Sequence, residues 1–231
     1  MIDNRRNIVP LHSETKKTMM DYDLPQPIPQ GSDGAQAAED SRILEVADEL
    51  RRLCQLHETQ HGAGRKHVDT FEIELRCTEQ YAKEHECWIP MERIFELGVP
   101  GPSGNENDTF VADDDVFKVN NLMNSGGVIA LLEKVLMHNT LFPDTAYRFY
   151  GFAGFDGRTV QPVLRQRRIA NARPATQVMI DTYLAALGFV KTSRTGHFTN
   201  GTYEVWDLLP RNVLVDPEGD LYVVDAEIRK L

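Results

Sequence analysis

The chain has 231 residues, a formal net charge of -10 and three cysteines. That length suits one folded unit with some tail to spare, and an acidic balance without a continuous basic stripe argues against a nucleic-acid surface. Cys54, Cys77 and Cys87 show no paired spacing, nothing at the N-terminus reads as a signal peptide, and no apolar run approaches the roughly 20 residues that span a bilayer, so a soluble, reduced, cytoplasmic protein is expected.

Residues 1–38 mix Pro, Gly, Ser, Gln and charges without periodicity, as in the run Leu24-Pro-Gln-Pro-Ile-Pro-Gln-Gly31, and read as a flexible tail. From Asp40 onward Ile43, Val46, Ala47, Leu50, Leu53, Cys54 and His57 share one helical face, which predicts a helix over 41–61. Gly62 and Gly64 can end it. Phe71, Leu75, Thr78, Tyr81, Ala82 and His85 then mark a second amphipathic helix to about 86. Together these helices are expected to form an N-terminal arm over 39–87, a possible docking surface for a protein partner.

After Trp88 the pattern changes to short strands at 93–97, 109–112, 116–119, 147–155 and 159–169. One helix interrupts them. It is predicted to start near Ser125 as N-cap, with Val128, Leu131, Leu132, Val135 and Leu136 facing the sheet. A last helix is predicted to open at Pro174, bury Ile180, Tyr183, Leu184 and Leu187, and stop at Gly188. Trp88, Phe149 and Trp206 read as core aromatics.

The stretch from Asp207 to Asp225 carries the chemistry. Two short apolar runs flank a Pro217-Glu218-Gly219 turn. If 213–215 pair antiparallel with 222–224, residues whose numbers sum to 437 face each other and Asn212 lies opposite Asp225. An amide oxygen and a carboxylate are hard ligands suited to magnesium, and Asp207, five residues before Asn212, can sit beside that metal as a base. An ordinary hairpin with polar residues at its open end is the plainer alternative.

An Asp followed five residues later by Asn, then by a hairpin and a second Asp, resembles the catalytic loop and metal-binding segment of eukaryotic-type protein kinases and aminoglycoside-type phosphotransferases. The resemblance implies that Lys118, in the run Val116-Phe-Lys-Val119, grips ATP phosphates and that Glu133 on the following helix pairs with it. The glycine-rich turn from Gly98 through Gly101 and Gly104 would cover the phosphates with backbone amides. The strand ending near Gln166 and Arg168 would lead into a hinge facing the adenine.

More narrowly, Val119-Asn-Asn, His138-Asn139-x-Leu-Phe-Pro, Tyr150-Gly-Phe and Trp206-Asp-Leu-x-Pro-Arg-Asn-Val-Leu-Val are similar to the Ser/Thr/Tyr kinase domain found in polyvalent proteins of phages and conjugative elements, over roughly 85–231. Asp225 is followed by Ala226-Glu227 in place of Phe-Gly, and no activation segment follows it in this sequence. The expectation is an α+β, protein-kinase-like two-lobed fold with a reduced C-lobe, in which 88–231 form a minimal kinase-like domain. It would use ATP and Mg2+ to phosphorylate a hydroxyl acceptor, with protein Ser/Thr/Tyr among the candidates. A catalytically silent nucleotide-binding or interaction module is the alternative.

A rival motif runs from His57-Glu58 through His61 and Gly64 to His67 and matches the zinc-peptidase spacing His-Glu-x-x-His-x-x-Gly-x-x-His, resembling the metzincins. His57 and His61 would share a helix face, His67 would be the third ligand and Glu58 would activate water. Only a helix and an irregular tail precede it, so no substrate-binding sheet is available upstream, and the histidines fit equally well as the semi-exposed end of that helix.

Overall fold

A computed structural model describes residues 34–61 and 70–231. The first helix, α1 (Gly34–His61), begins inside the stretch read as tail. Ala35, Ala37 and Ala38 favour helix more strongly than the neighbouring polar composition opposes it. The second helix, α2 (Thr70–Glu84), buries Ile73, Cys77, Thr78, Tyr81 and Ala82. Phe71, expected on that face, is 39% exposed.

Six strands form the main sheet: β1 (Trp88–Pro90), β2 (Val99–Pro100), β3 (Asn107–Ala112), β4 (Asp115–Asn120), β5 (Tyr147–Phe155) and β6 (Thr159–Arg167), in the order β1-β5-β6-β4-β3-β2. Five strands were expected, all antiparallel. Four of the five appear, as β3 to β6, while β1 and β2 are additional, and β1 runs parallel to β5, pairing Trp88 with Phe152 and Pro90 with Gly154. Glycine is required where it joins, because a side chain at Gly151 would press against the Cys87 carbonyl at 2.5 Å. The run 93–97, expected to be a strand, lies in a 3-10 helix spanning Met91–Leu97 that buries Ile94 and Leu97. An i, i+3 pair satisfies that spacing better than strand alternation.

Along β4 the side chains alternate. Phe117 and Val119 join Ile94, Leu97, Phe110, Ala153 and Val163 on one face, while Lys118 turns to the face covered by helices. On that face α3 (Val128–Leu141) buries Val128, Leu131, Leu132, Val135 and Leu136, as its periodicity predicts. These pack with Ile43, Val46, Ala47 and Leu50 of α1, Tyr81 and Ala82 of α2, and Phe149, Phe152 and Leu164 of the sheet. The two helices expected to form a separate arm are thus part of the main core.

The N-cap of α3 is Gly127, three residues after the last Asn of the preceding loop and two beyond Ser125. Ser125 Oγ instead lies 3.3 Å from Asn120 Oδ1. The capping acceptor comes from another helix: Glu74 Oε1 of α2 accepts from the Ile129 amide at 2.7 Å. A carboxylate there satisfies an otherwise orphaned amide and complements the helix dipole.

The C-terminal third has its own core, in which Ile180, Leu184, Phe198, Val205, Leu208 and Val213 are fully buried. Its last helix, α4 (Gln177–Ala186), starts later than expected because Pro174 lies in a short strand, β7 (Arg173–Pro174). Thr176 caps α4, accepting from the Met179 amide. Leu187, expected inside, is 44% exposed. The remaining strands are β8 (Val190–Lys191), β9 (Phe198–Thr199), β10 (Tyr203–Trp206), β11 (Val213–Val215), β12 (Leu221–Val223) and β13 (Glu227–Lys230). They form a four-stranded sheet, β13-β10-β9-β8, and a three-stranded one, β12-β11-β7. The fold class is mixed α+β.

Candidate active site

The β11–β12 hairpin organises the site. Val213 pairs with Val223 and Val215 with Leu221, so facing residues sum to 436 rather than the expected 437. The turn sets this register. Asp216 accepts from the amides of Gly219 and Asp220, both at 2.9 Å, and its own amide donates to the Asp220 carbonyl. Three residues therefore lie inside the turn, with Gly219 at φ +99°, the form of three-residue loop that needs glycine. The shift places Asn212 opposite Val224, and Asp225 one step further.

Asn212 is still the hub. Its carbonyl accepts from the amides of Val224 (2.9 Å) and Asp225 (3.3 Å). Its Nδ2 donates to the Asp207 carbonyl at 2.7 Å and to Asp207 Oδ2 at 2.8 Å. Because both partners are acceptors, the amide NH2 must face Asp207, which turns Oδ1 the other way. Among the described residues neither that Oδ1 nor the Asp225 carboxylate accepts a hydrogen bond. An amide oxygen on Asn212 and the carboxylate of Asp225 thus stand uncommitted at neighbouring register positions at the open end of the hairpin, and both are hard donors of the kind Mg2+ takes. Asp207 has φ +61°, uncommon for a residue with a side chain and concentrated where geometry is functionally constrained. Arg211 Nη2 lies 2.5 Å from its Oδ1.

Lys118 approaches the same segment from the sheet. Its Nζ donates to the Val224 carbonyl at 2.6 Å and to Tyr147 Oη at 2.9 Å, and Tyr147 donates to the same carbonyl at 2.9 Å. Only 7% of Lys118 is exposed. Burial pushes its ammonium pKa down and the nearby Asp225 carboxylate pulls it back up. A hydrogen-bonded path therefore runs from Lys118 through Val224 and Asn212 to Asp207, joining three of the expected site residues and the backbone beside the fourth, Asp225.

Glu133 does not join them. Its Oε1 is bonded to Arg51 of α1, and among the described residues no ion pair links it to Lys118. The charged α3 residue on the site side is its neighbour Lys134, which lies with His138 of the same helix and with Lys118, Asn107, Asn120 and Asp225 around a small cavity. Lys134 Nζ pairs with Glu227 at 2.9 Å and lies 3.8 Å from Glu106. Consecutive helical residues are rotated by about 100°, and the packing of Leu132 and Val135 sends Glu133 to the α1 side.

The glycine-rich turn also differs from expectation. The Gly101 amide donates to the Thr109 carbonyl at 2.8 Å and the Gly104 amide to the Asn107 carbonyl at 3.0 Å, so both are committed to β3 and not open to a phosphate. Gln166 is central in the sheet, paired with Val116 on one side and Tyr147 on the other, and its Nε2 donates to the Thr145 carbonyl. The Arg168 amide donates to the Asp114 carbonyl. These donors serve the sheet and the β3–β4 turn instead of an adenine.

Several residues around the site were not singled out for chemistry from sequence. Thr145 Oγ1 donates to the Val223 carbonyl at 2.5 Å and faces His138 Nε2 at 3.3 Å. Burial holds the His138 imidazole neutral, with its pKa pushed down to about 3. Trp206, expected in the core, lines an open cleft with Asp207, Arg194, Glu204, Glu227 and Arg229, and Arg229 sits over its ring. His138 and Trp206 lie within the runs that carry the family resemblance. Lys134 and Glu227 had only their opposite charges as a signal.

The model of the serine/threonine/tyrosine kinase found in polyvalent proteins matches residues 72–230. The chain belongs to that family. Comparison with curated proteins gave no match. For this kinase-family chain the matched stretch opens within α2, earlier than the strand region where the resemblance was first placed, in line with Glu74 capping α3. No helix among the described residues is long and apolar enough to cross a membrane. The zinc-type motif lies largely outside the described residues: the His61 side chain, Gly64 and His67 are beyond them, and the backbone places only His57, Glu58 and His61 on α1. Among the described residues no group of three or more His, Cys, Asp or Glu is gathered to hold a metal.

Proposed function

We propose that this kinase-family chain is an ATP- and Mg2+-dependent phosphotransferase with a two-lobed, kinase-like arrangement that acts on a hydroxyl acceptor. The observation that carries the reading is the hydrogen-bonded path from Lys118 through Val224 and Asn212 to Asp207. It links a cation, the Asn212 amide and the Asp207 carboxylate that lines an open cleft, with Asp225 the next residue after Val224 on that path.

In this mechanism Asn212 Oδ1 and the Asp225 carboxylate would hold the metal, which supplies charge neutralisation on the phosphate oxygens. Lys118 holds the Val224 carbonyl, so its first role is to fix the direction in which Asp225 projects, and its remaining N–H can reach a phosphate oxygen. Asp207, held by Asn212 and Arg211, accepts or orients the proton of the acceptor hydroxyl in the cleft lined by Trp206 and Arg229. Glu133 has no direct part in this scheme.

The second reading is a nucleotide-binding or interaction module without transfer. The enclosure of Lys118 and the committed amides of Gly101 and Gly104 favour it. Calorimetry of MgATP binding to the wild type and to Asp225→Ala, followed by a phosphoryl-transfer assay with Asp207→Asn, separates the two. Magnesium-dependent binding lost in Asp225→Ala, with transfer lost in Asp207→Asn, supports the enzyme. Binding without transfer in the wild type supports the module, and no binding to well-folded protein removes both.

A further inference from the structure

The segment 223–227 is gripped from the sheet side by three side-chain donors acting on two carbonyls: Thr145 on Val223, and Lys118 and Tyr147 on Val224. Those bonds fix the chain before Asp225. After Asp225 the chain enters β13, where Glu227 pairs with Trp206 of β10, and among the described residues the side-chain contact that ties this stretch to α3 is the pair between Lys134 and Glu227. Its side chains are 17% and 24% exposed. Glu106, next to β3 and 21% exposed, stands 3.8 Å from the same ammonium. One lysine on α3 therefore bridges the loop entering β3 and the first residue of β13.

We propose that Lys134 and Glu227 form a strut that positions Asp225, making both of them positioning residues for the phosphotransferase site; this rests on the function proposed above. Asp225 is anchored through its backbone to Asn212 on one side, and two residues beyond it the strut adds a tie to α3 to the pairing of Glu227 with β10. With the chain held on both sides, the Asp225 carboxylate has less freedom to swing, and part of the ordering entropy of the site is met by the fold before nucleotide arrives. Ion pairs exposed to this degree are worth more than free surface pairs, because the surrounding protein screens them less than water does. Burial nevertheless pushes the Glu227 carboxyl pKa up, with Lys134 opposing that shift.

The test uses the full chain with Lys134→Met, Glu227→Gln, Lys134→Arg and the charge-exchanged double variant Lys134→Glu/Glu227→Lys, the last made in a Glu106→Gln background so that position 134 does not face a second carboxylate. Two readouts are taken on each: MgATP affinity by calorimetry, and hydrogen exchange of the amides of residues 224–228. Each single neutral variant should weaken MgATP binding about fivefold to tenfold and speed exchange across that segment while leaving exchange in β4 and β5 unchanged. Lys134→Arg should stay within about twofold of the wild type, and the double variant should recover at least half of the loss in both readouts. Unchanged affinity and exchange in the neutral variants overturns the strut. So does a charge-exchanged variant, folded by its β4 and β5 protection, that is no better than the singles. If the wild type binds no MgATP, the phosphotransferase reading fails separately, and the exchange data alone decide whether the pair clamps the segment.

Discussion

The two sides of α3 make an instructive contrast. On the α1 side Glu133 is bonded to Arg51, and Asn139 Nδ2 donates to Asp40 Oδ1 at 2.6 Å and to the Tyr147 carbonyl at 2.9 Å. On the cleft side Lys134 meets Glu227, and His138 meets Thr145. Both sides carry polar contacts over an apolar helix, yet the first holds helices together and the second holds the segment that bears Asp225. Disturbing the first should act on stability, disturbing the second on ligand binding.

The largest effect is expected from the core between them. Leu132 is fully buried against α1 and the sheet, so Leu132→Ala should cost about 2–5 kcal/mol in chemical denaturation. A loss below 1 kcal/mol would mean that α1 is not seated on α3 as described. Next comes Gly127→Ala, where the new Cβ would meet Glu74 Oε2 at 2.5 Å at a φ of +130°; a loss of about 1–3 kcal/mol follows from strain and a displaced cap.

Acid sharpens the contrast on the cleft side. His138 has its pKa depressed to about 3, so it stays neutral in the folded protein while the unfolded chain protonates it near 6.5. The resulting stability is fully present above about pH 6.5 and falls as pH drops toward 3, with a slope of up to ~1.4 kcal/mol per pH unit from this group. Urea midpoints for the wild type and His138→Gln, measured between pH 7 and pH 4, should diverge, with the variant falling less steeply; parallel curves would deny the imidazole that role. The smallest effect belongs to Arg51→Ala. Removing that partly exposed partner of Glu133 should cost about 1 kcal/mol and leave MgATP affinity unaltered. A tenfold loss of affinity would return Glu133 to the site.

Much of this was legible in the sequence where a local pattern determines the outcome. The apolar face of α3 and the strands at 147–155 and from 159 follow from periodicity, and the 207–225 motif drew attention to Asn212, although as a metal ligand and not as the hydrogen-bonding hub that joins Asp207 to Val224. What was not legible depends on counts and contacts made at a distance. The hairpin register turned on whether Asp216 closes three residues or an even number, a choice made by two side-chain hydrogen bonds. The pairing of Glu133 turned on α1, 82 positions earlier in the chain. The run 93–97 reads as a short strand and yet sits in a 3-10 helix, in which Ile94 and Leu97 share a core with Phe110 and Phe117.

The position of α1 bears on how the family should be delimited. The matched stretch opens at residue 72, but Ile43, Val46, Ala47 and Leu50 fill the back of α3 and are at most 2% exposed. A chain begun at Glu72 would keep every residue of the candidate site and leave the outer face of its central helix to water. The matched stretch is therefore shorter than the stretch whose side chains make up this core. A graft of this site into another protein would have to bring α1, or an equivalent apolar helix, with it.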